Sequence, residues 1–196
     1  MTKPMVKFKS TRLVITTAFA ALALSACSSL FTADSRFDPV KLTSYEQTAQ
    51  GVTAWSQSIG SSGDYGFAPT ILGEEVFAAT PDGSVARLGL SNGAIRWNVK
   101  VGAELASGTG SDGQIVVVNT RDGRVIALDA NNGSQLWESR ASTISTTPPV
   151  VGPNVVVVRT DDYRVQGFDR QTGELQWSYM RTNAPLALKT DTRMVI

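Results

Sequence analysis

An all-β fold built from a regular repeat is predicted by three features of the 196-residue sequence. Its four tryptophans, Trp55, Trp97, Trp137 and Trp177, are spaced by 42, 40 and 40 residues, and each follows a glycine by four positions, at Gly51, Gly93, Gly133 and Gly173. A second ladder, Asp82-Gly83, Asp122-Gly123 and Asp162-Tyr163, recurs every 40 residues, 15 ahead of its tryptophan. Short apolar runs alternate with these turns, and no 3.6-residue period appears after residue 55. A period near 40 with several short strands per unit is the mark of a β-propeller with one four-stranded antiparallel blade per repeat.

Within each unit the order of elements follows from the turns. The runs Val76–Ala79, Ile115–Val118 and Val155–Val158 precede the Asp-containing turn, and Ser84–Leu88, Arg124–Leu128 and Arg164–Phe168 follow it. Two β-compatible runs around an Asp-Gly turn read as a hairpin, because these residues tolerate the positive φ that a twist-matched tight turn requires. A second turn at Ser91-Asn92-Gly93, Asn131-Asn132-Gly133 and Gln171-Thr172-Gly173 leads into a last strand expected to end at the tryptophan. Counted from tryptophan to tryptophan, the repeats are 55–96, 97–136 and 137–176, with 177–196 an incomplete fourth. The glycine-rich stretch Gly102–Gly113 falls inside a repeat and is expected to serve strands and turns rather than a ligand.

The amino terminus has a different composition. Lys3, Lys7, Lys9 and Arg12 precede the apolar run Leu13–Leu24 and then Leu24-Ser25-Ala26-Cys27. Such an apolar run is too short to span a bilayer stably, which points to an export signal over residues 1–26. The residues before Cys27 resemble the lipobox of bacterial lipoproteins, which implies that the thiol, the one cysteine of the chain, is lipidated. Acyl chains there would hold the protein at a membrane surface. Ser28 stands where an inner-membrane retention signal would place Asp, so the lipoprotein resemblance implies outer-membrane delivery, facing the periplasm. Residues 27–54 read as the lipidated cysteine and a polar tether, and 55–196 as a partial propeller.

Composition narrows the function. The chain has 18 Lys and Arg, 17 Asp and Glu and no histidine. Four of the basic residues lie in the first 26, so a chain cut there is acidic by about three charges and offers no field for nucleic acid. The lack of histidine removes the commonest general base and metal ligand. No phosphate-cradling loop or metal-spaced carboxylate cluster is visible, so no catalytic residue, metal site or cofactor is assigned. Asp82, Asp122, Asp162, Asp129 and Asp169 recur at turns, where an Asp side chain bonds its own backbone.

Ala127-Leu128-Asp129-Ala130-Asn131-Asn132-Gly133-Ser134-Gln135-Leu136-Trp137 resembles the tryptophan-docking motif of quinoprotein-type propellers, Ala-x-Asp-x-x-Thr-Gly-x-x-x-Trp. The third copy keeps Asp169, Thr172, Gly173 and Trp177 with Gly167 at the Ala position; the first, around Gly93 and Trp97, has Arg87 and Gly89 where Ala and Asp are expected. The resemblance implies that each indole lies against the glycine peptide of a neighbouring blade. With the lipobox, the tether and a first strand expected at Ala54-Trp55-Ser56, the whole chain resembles the BamB-type lipoprotein of the outer-membrane β-barrel assembly machinery. That family has eight blades, so the sequence looks like the amino-terminal half of a longer chain, about three and a half blades, ending in an unpaired apolar stretch at Met194-Val195-Ile196.

The resemblance implies a non-enzymatic scaffold that binds the POTRA domains of the barrel-inserting subunit, with unfolded outer-membrane proteins as clients. Ala184-Pro185-Leu186-Ala187-Leu188-Lys189 is similar to the family's Pro-x-Leu-x-Leu-Arg loop, which implies partner contacts from Leu186, Leu188 and Lys189. Lys in place of Arg keeps the charge and loses the planar fork. The alternative is a periplasmic quinoprotein dehydrogenase with its active site in a missing half. A third class, a glycan binder that stacks sugars on the tryptophans, is less favoured because their fixed place in each repeat suits packing.

Overall fold

The computed structural model describes residues 43–44, 46, 48–61, 67–180 and 194. The chain divides into units 1–50 and 51–196, and the fold lies in the second. Twelve strands are ordered along it: β1 (Thr70–Leu72), β2 (Glu75–Ala79), β3 (Ser84–Gly89), β4 (Ile95–Lys100), β5 (Gly110–Ser111), β6 (Ile115–Asn119), β7 (Arg124–Asp129), β8 (Gln135–Arg140), β9 (Val150–Val151), β10 (Val155–Arg159), β11 (Arg164–Asp169) and β12 (Leu175–Met180). They form three antiparallel four-stranded sheets, β1–β4, β5–β8 and β9–β12, each an up-and-down meander. No helix occurs among the described residues.

The hairpin between the second and third strand of each sheet closes in the same way three times. Gly83, Gly123 and Tyr163 each donate their N–H to the carbonyl of Thr80, Thr120 or Thr160 at 3.1 Å. The threonine hydroxyl donates to the aspartate between them: Thr80 to Asp82 at 2.5 Å, Thr120 to Asp122, and Thr160 to Asp162 at 2.5 Å. The turn is thereby fixed by side-chain bonds that are local to it and need no neighbouring sheet.

The middle sheet shows how one sequence serves two cores. On β6 and β7, Val116, Val118, Ile126 and Leu128 pack with Phe77, Val85 and Trp97 of the first sheet. The alternate residues Ile115, Val117, Val125 and Ala127 pack with Val156, Val158 and Phe168 of the third. Because side chains alternate along a strand, a sheet buried on both faces reads as the unbroken apolar run seen at Ile115–Val118. A third cluster, Val76, Ala86 and Leu88, lies on the other face of the first sheet under Ile59 and Leu90.

Three expectations are corrected in detail. The tryptophan is the third residue of its strand, not the last: β4, β8 and β12 run three residues beyond it. Counting from tryptophan to tryptophan therefore cuts each sheet within its fourth strand, and the sheets span 70–100, 110–140 and 150–180 rather than 55–96, 97–136 and 137–176. Ala54-Trp55-Ser56 is not a strand, since no described segment pairs with it. In all three sheets a β-bulge falls beside the residue that faces the tryptophan, at Arg87/Leu88, Ala127/Leu128 and Gly167/Phe168. A bulge twists the strand locally and re-aims the side chain opposite it.

Candidate functional site

Trp97 and Trp137 stand at the seams between sheets. The Trp97 indole N–H of the first sheet donates to the Ala130 carbonyl of the second at 2.9 Å, and Trp137 of the second donates to the Arg170 carbonyl of the third at 2.9 Å. Trp55 makes the same bond to the Leu90 carbonyl of the first sheet at 2.8 Å, so it occupies the corresponding place although it is not in a strand. Each ring lies on a glycine of the same turn. A methyl group added at Gly133 would come within 2.9 Å of Trp97, one at Gly173 within 2.5 Å of Trp137, and one at Gly93 would collide with Trp55. All three glycines have positive φ, from 66° to 75°. Only glycine adopts that conformation freely and also leaves the ring its seat.

The partners of this seam differ between repeats. Ala127 faces Trp137 across the β7–β8 ladder, and Gly167 faces Trp177 across β11–β12. Asp129 accepts the Asn131 N–H at 2.6 Å, whereas Asp169 accepts those of Gln171 and Thr172 at 2.8 and 2.9 Å. Where the first repeat breaks the motif, Arg87 takes over: its guanidinium donates to the same Ala130 carbonyl at 3.0 Å, pairs with Glu75 at 3.1 Å and lies 5.8 Å from the Phe77 ring centre. A second seam contact links the β5–β6 turn to the β11–β12 turn, where Arg170 meets Asp112 at 2.5 Å and Gln114 at 2.9 Å. Neither arginine was marked as a site residue by the sequence. For Arg87 the departure from the motif was the available signal, while the Arg170–Asp112 pair is 58 residues apart and left none.

Five aspartates of the second unit are committed to turns. The Thr80 hydroxyl holds the Asp82 carboxyl well below its ordinary range, and the Thr120 hydroxyl, then Arg124, does the same for Asp122. Burial pushes Asp162 up, but the hydroxyls of Thr160 and Ser142 and the charge of Arg164 outweigh it. The N–H groups of Thr172 and Gln171 lower Asp169. At Asp112 burial is outweighed by the N–H groups of Ile115 and Gln114 and by Arg170. Groups tuned downward in this way are permanent anions near neutrality, poor proton donors or acceptors. Among the described residues no three of His, Cys, Asp and Glu come together in a metal-binding group. Among the described residues, no titratable group lines the recess along the inner strands between Thr70, Thr109, Gly110, Pro149 and Val151.

Of the residues expected to carry function, Cys27 and the loop residues Leu186, Leu188 and Lys189 lie outside the described residues. Gly93, Trp97, Ala127, Asp129, Gly133, Trp137, Asp169, Gly173 and Trp177 are all placed in the sheets and turns above. Trp97 and Trp137 are 9% and 7% exposed, while Trp177, with its ring over Gly167 of its own sheet, is 43% exposed.

Comparison with known proteins decides the family. The model of the family described as outer membrane protein assembly factor BamB matches residues 81–196. The chain belongs to the BamB family. It is 47% identical over 97 residues to the BamB of Bordetella pertussis strain Tohama I, covering 50% of this chain and 25% of that one. To the BamB of Burkholderia pseudomallei strain K96243 it is 37% identical over 101 residues, covering 52% and 26%. The matched stretch thus spans about a quarter of the length of these curated relatives. Among solved structures, BamB from Moraxella catarrhalis superposes with a TM-score of 0.57 at 27% identity, over 62% of this chain and 37% of that one. A europium-containing methanol dehydrogenase superposes with a TM-score of 0.56 at 25% identity, over 64% and 26%. The three sheets are blades of a BamB-type β-propeller.

Proposed function

We propose that this chain is a non-enzymatic, lipid-anchored scaffold that assists assembly of outer-membrane β-barrel proteins from the periplasmic face of the outer membrane. Its membership of the BamB family, resting on the match over residues 81–196, carries this reading. Lipidated Cys27 tethers the propeller, and Leu186, Leu188 and Lys189 supply the contact with the POTRA domains of the barrel-inserting subunit, two apolar anchors and one cation. Unfolded outer-membrane proteins are the clients. The described carboxylates suit this role, since Asp82, Asp112, Asp122, Asp162 and Asp169 hold the turns.

Photo-crosslinking in the cell envelope from a probe at Leu188 tests the reading. Capture of the periplasmic domains of the barrel-inserting subunit is expected; a folded, lipidated chain that captures nothing from this position would sink it. The likeness to the europium-containing methanol dehydrogenase favours, as a second reading, a quinoprotein dehydrogenase completed by further blades. Metal-dependent dye reduction in the presence of added quinone would be its signature.

A further inference from the structure

The turns between the second and third strands break their own rule once. Thr80-Pro81-Asp82-Gly83 and Thr120-Arg121-Asp122-Gly123 become Thr160-Asp161-Asp162-Tyr163. The turn geometry is unchanged, with the same N–H to carbonyl bond at 3.1 Å, so Tyr163 is forced to φ 65° where Gly83 and Gly123 have 89° and 83°. Tyr163 is the one non-glycine with positive φ among the described residues. A bulky side chain in that region is strained, and such strain persists where the surrounding structure dictates it and clusters at sites of function.

Packing does not account for the ring. Tyr163 is 48% exposed and belongs to none of the three apolar clusters. Its backbone, by contrast, is held firmly. Asp161 accepts from the Thr146 N–H and hydroxyl at 3.3 and 3.0 Å, and its own N–H donates to the Ile144 carbonyl at 2.9 Å. Asp162 accepts from Ser142 at 3.2 Å and pairs with Arg164 at 3.0 Å. The turn is therefore pinned to the connector between the second and third sheets and presents the aromatic ring on a rigid mount.

We propose that Tyr163 is an aromatic anchor by which this end of the third sheet grips a basic segment of a folded protein partner. Tyrosine offers a large, amphipathic contact surface with few torsions to freeze, which is why it dominates binding hot spots. The sign of the partner's charge follows from the turn itself. It carries two aspartates where the other two turns carry Pro81-Asp82 and Arg121-Asp122, making it the most acidic of the three. An arginine or lysine of the partner would be drawn to the π face of the ring and to the negative charge of the turn.

The partner's identity rests on the scaffold reading, so the probe is the purified periplasmic domains of the barrel-inserting subunit, titrated against the full chain. Tyr163→Gly removes the ring and the backbone strain together. It is expected to raise the melting temperature while weakening binding about tenfold or more, as loss of a hot-spot side chain does. Tyr163→Phe should retain most of the affinity, and Asp161→Asn, which keeps the bond from Thr146, should weaken binding more at low salt than at high salt. Binding by Tyr163→Gly within twofold of wild type, or a lower melting temperature for it, would overturn the anchor and leave the scaffold reading standing. Failure of the wild-type chain to bind at all would overturn both.

Discussion

The second and third sheets have nearly the same strands, yet their last tryptophans live in different surroundings. Trp137 on β8 is 7% exposed and lies on Gly173 of the next sheet; Trp177, at the same place on β12, is 43% exposed. Every residue of β12 is exposed, including Leu175, Tyr179 and Met180, whereas on β8 Trp137 is buried and Ser139 half-buried. The difference lies outside the sheet: a blade acquires the buried half of its outer strand only from its neighbour. Stability in such an array is a sum of blade and seam contributions, and the seam adds the further burial that separates Trp137 from Trp177.

The comparison can be broken most directly at the rings. Trp97→Ala and Trp137→Ala are expected to cost about 3–5 kcal/mol each, the range for deleting a buried aromatic, and to leave the Ala130 or Arg170 carbonyl without its indole donor. Trp177→Ala should cost about 1–2 kcal/mol in this chain, because 43% of that residue is already exposed. Urea denaturation of the three variants measures both numbers, and equal losses at Trp137 and Trp177 would show that the ring's worth is intrinsic to its own blade.

A smaller effect is expected at the seats. Gly133→Ala combines a left-handed backbone with a methyl group within 2.9 Å of Trp97 and should cost about 2–3 kcal/mol. Gly73 has φ 54° but open space around it, so Gly73→Ala isolates the backbone contribution at about 1 kcal/mol. The gap between the two variants, read from melting curves, is the part due to the seam. If they melt together, the indole does not depend on the glycine for its seat.

Much of this was legible in the sequence because the seam repeats. The Gly-x-x-x-Trp spacing, the Asp-containing turns and the apolar runs each recur at 40 residues, and local turn chemistry fixes where one strand stops. The strand's far end was not legible: residues after Trp97 alternate polar and apolar, those after Trp137 run Glu138-Ser139-Arg140, and neither pattern marks a stop, so the extension to Lys100 and Arg140 emerges only from pairing with β3 and β7. Trp55 shows the converse limit, since its docking bond to Leu90 is encoded by the repeat while strand formation needs a neighbour that local sequence does not supply. The cross-sheet pair of Arg170 and Asp112 depends on how two turns are brought together in space, which no residue spacing records.

That pair gives the smallest and most specific prediction. Asp112 has its carboxyl held low by the N–H groups of Ile115 and Gln114 and by Arg170, against the opposing effect of burial. A group whose folded value is depressed contributes stability that is present above its unfolded value, near 4, and is lost as pH falls through the folded value. Asp112→Asn removes this contribution, at most about 1 kcal/mol for a pair that remains partly in contact with solvent. Wild type should therefore melt slightly higher than Asp112→Asn at pH 6, and the gap should close steadily below pH 4. Asp122→Asn offers the contrast: its partners Thr120 and Arg124 lie within one sheet, so its acid response belongs to the blade rather than to the seam. A gap for Asp112→Asn that persists unchanged to pH 2 would mean that the carboxylate's charge contributes nothing across the seam, leaving the shared apolar core and the Trp137 indole on Gly173 to hold the second and third sheets together.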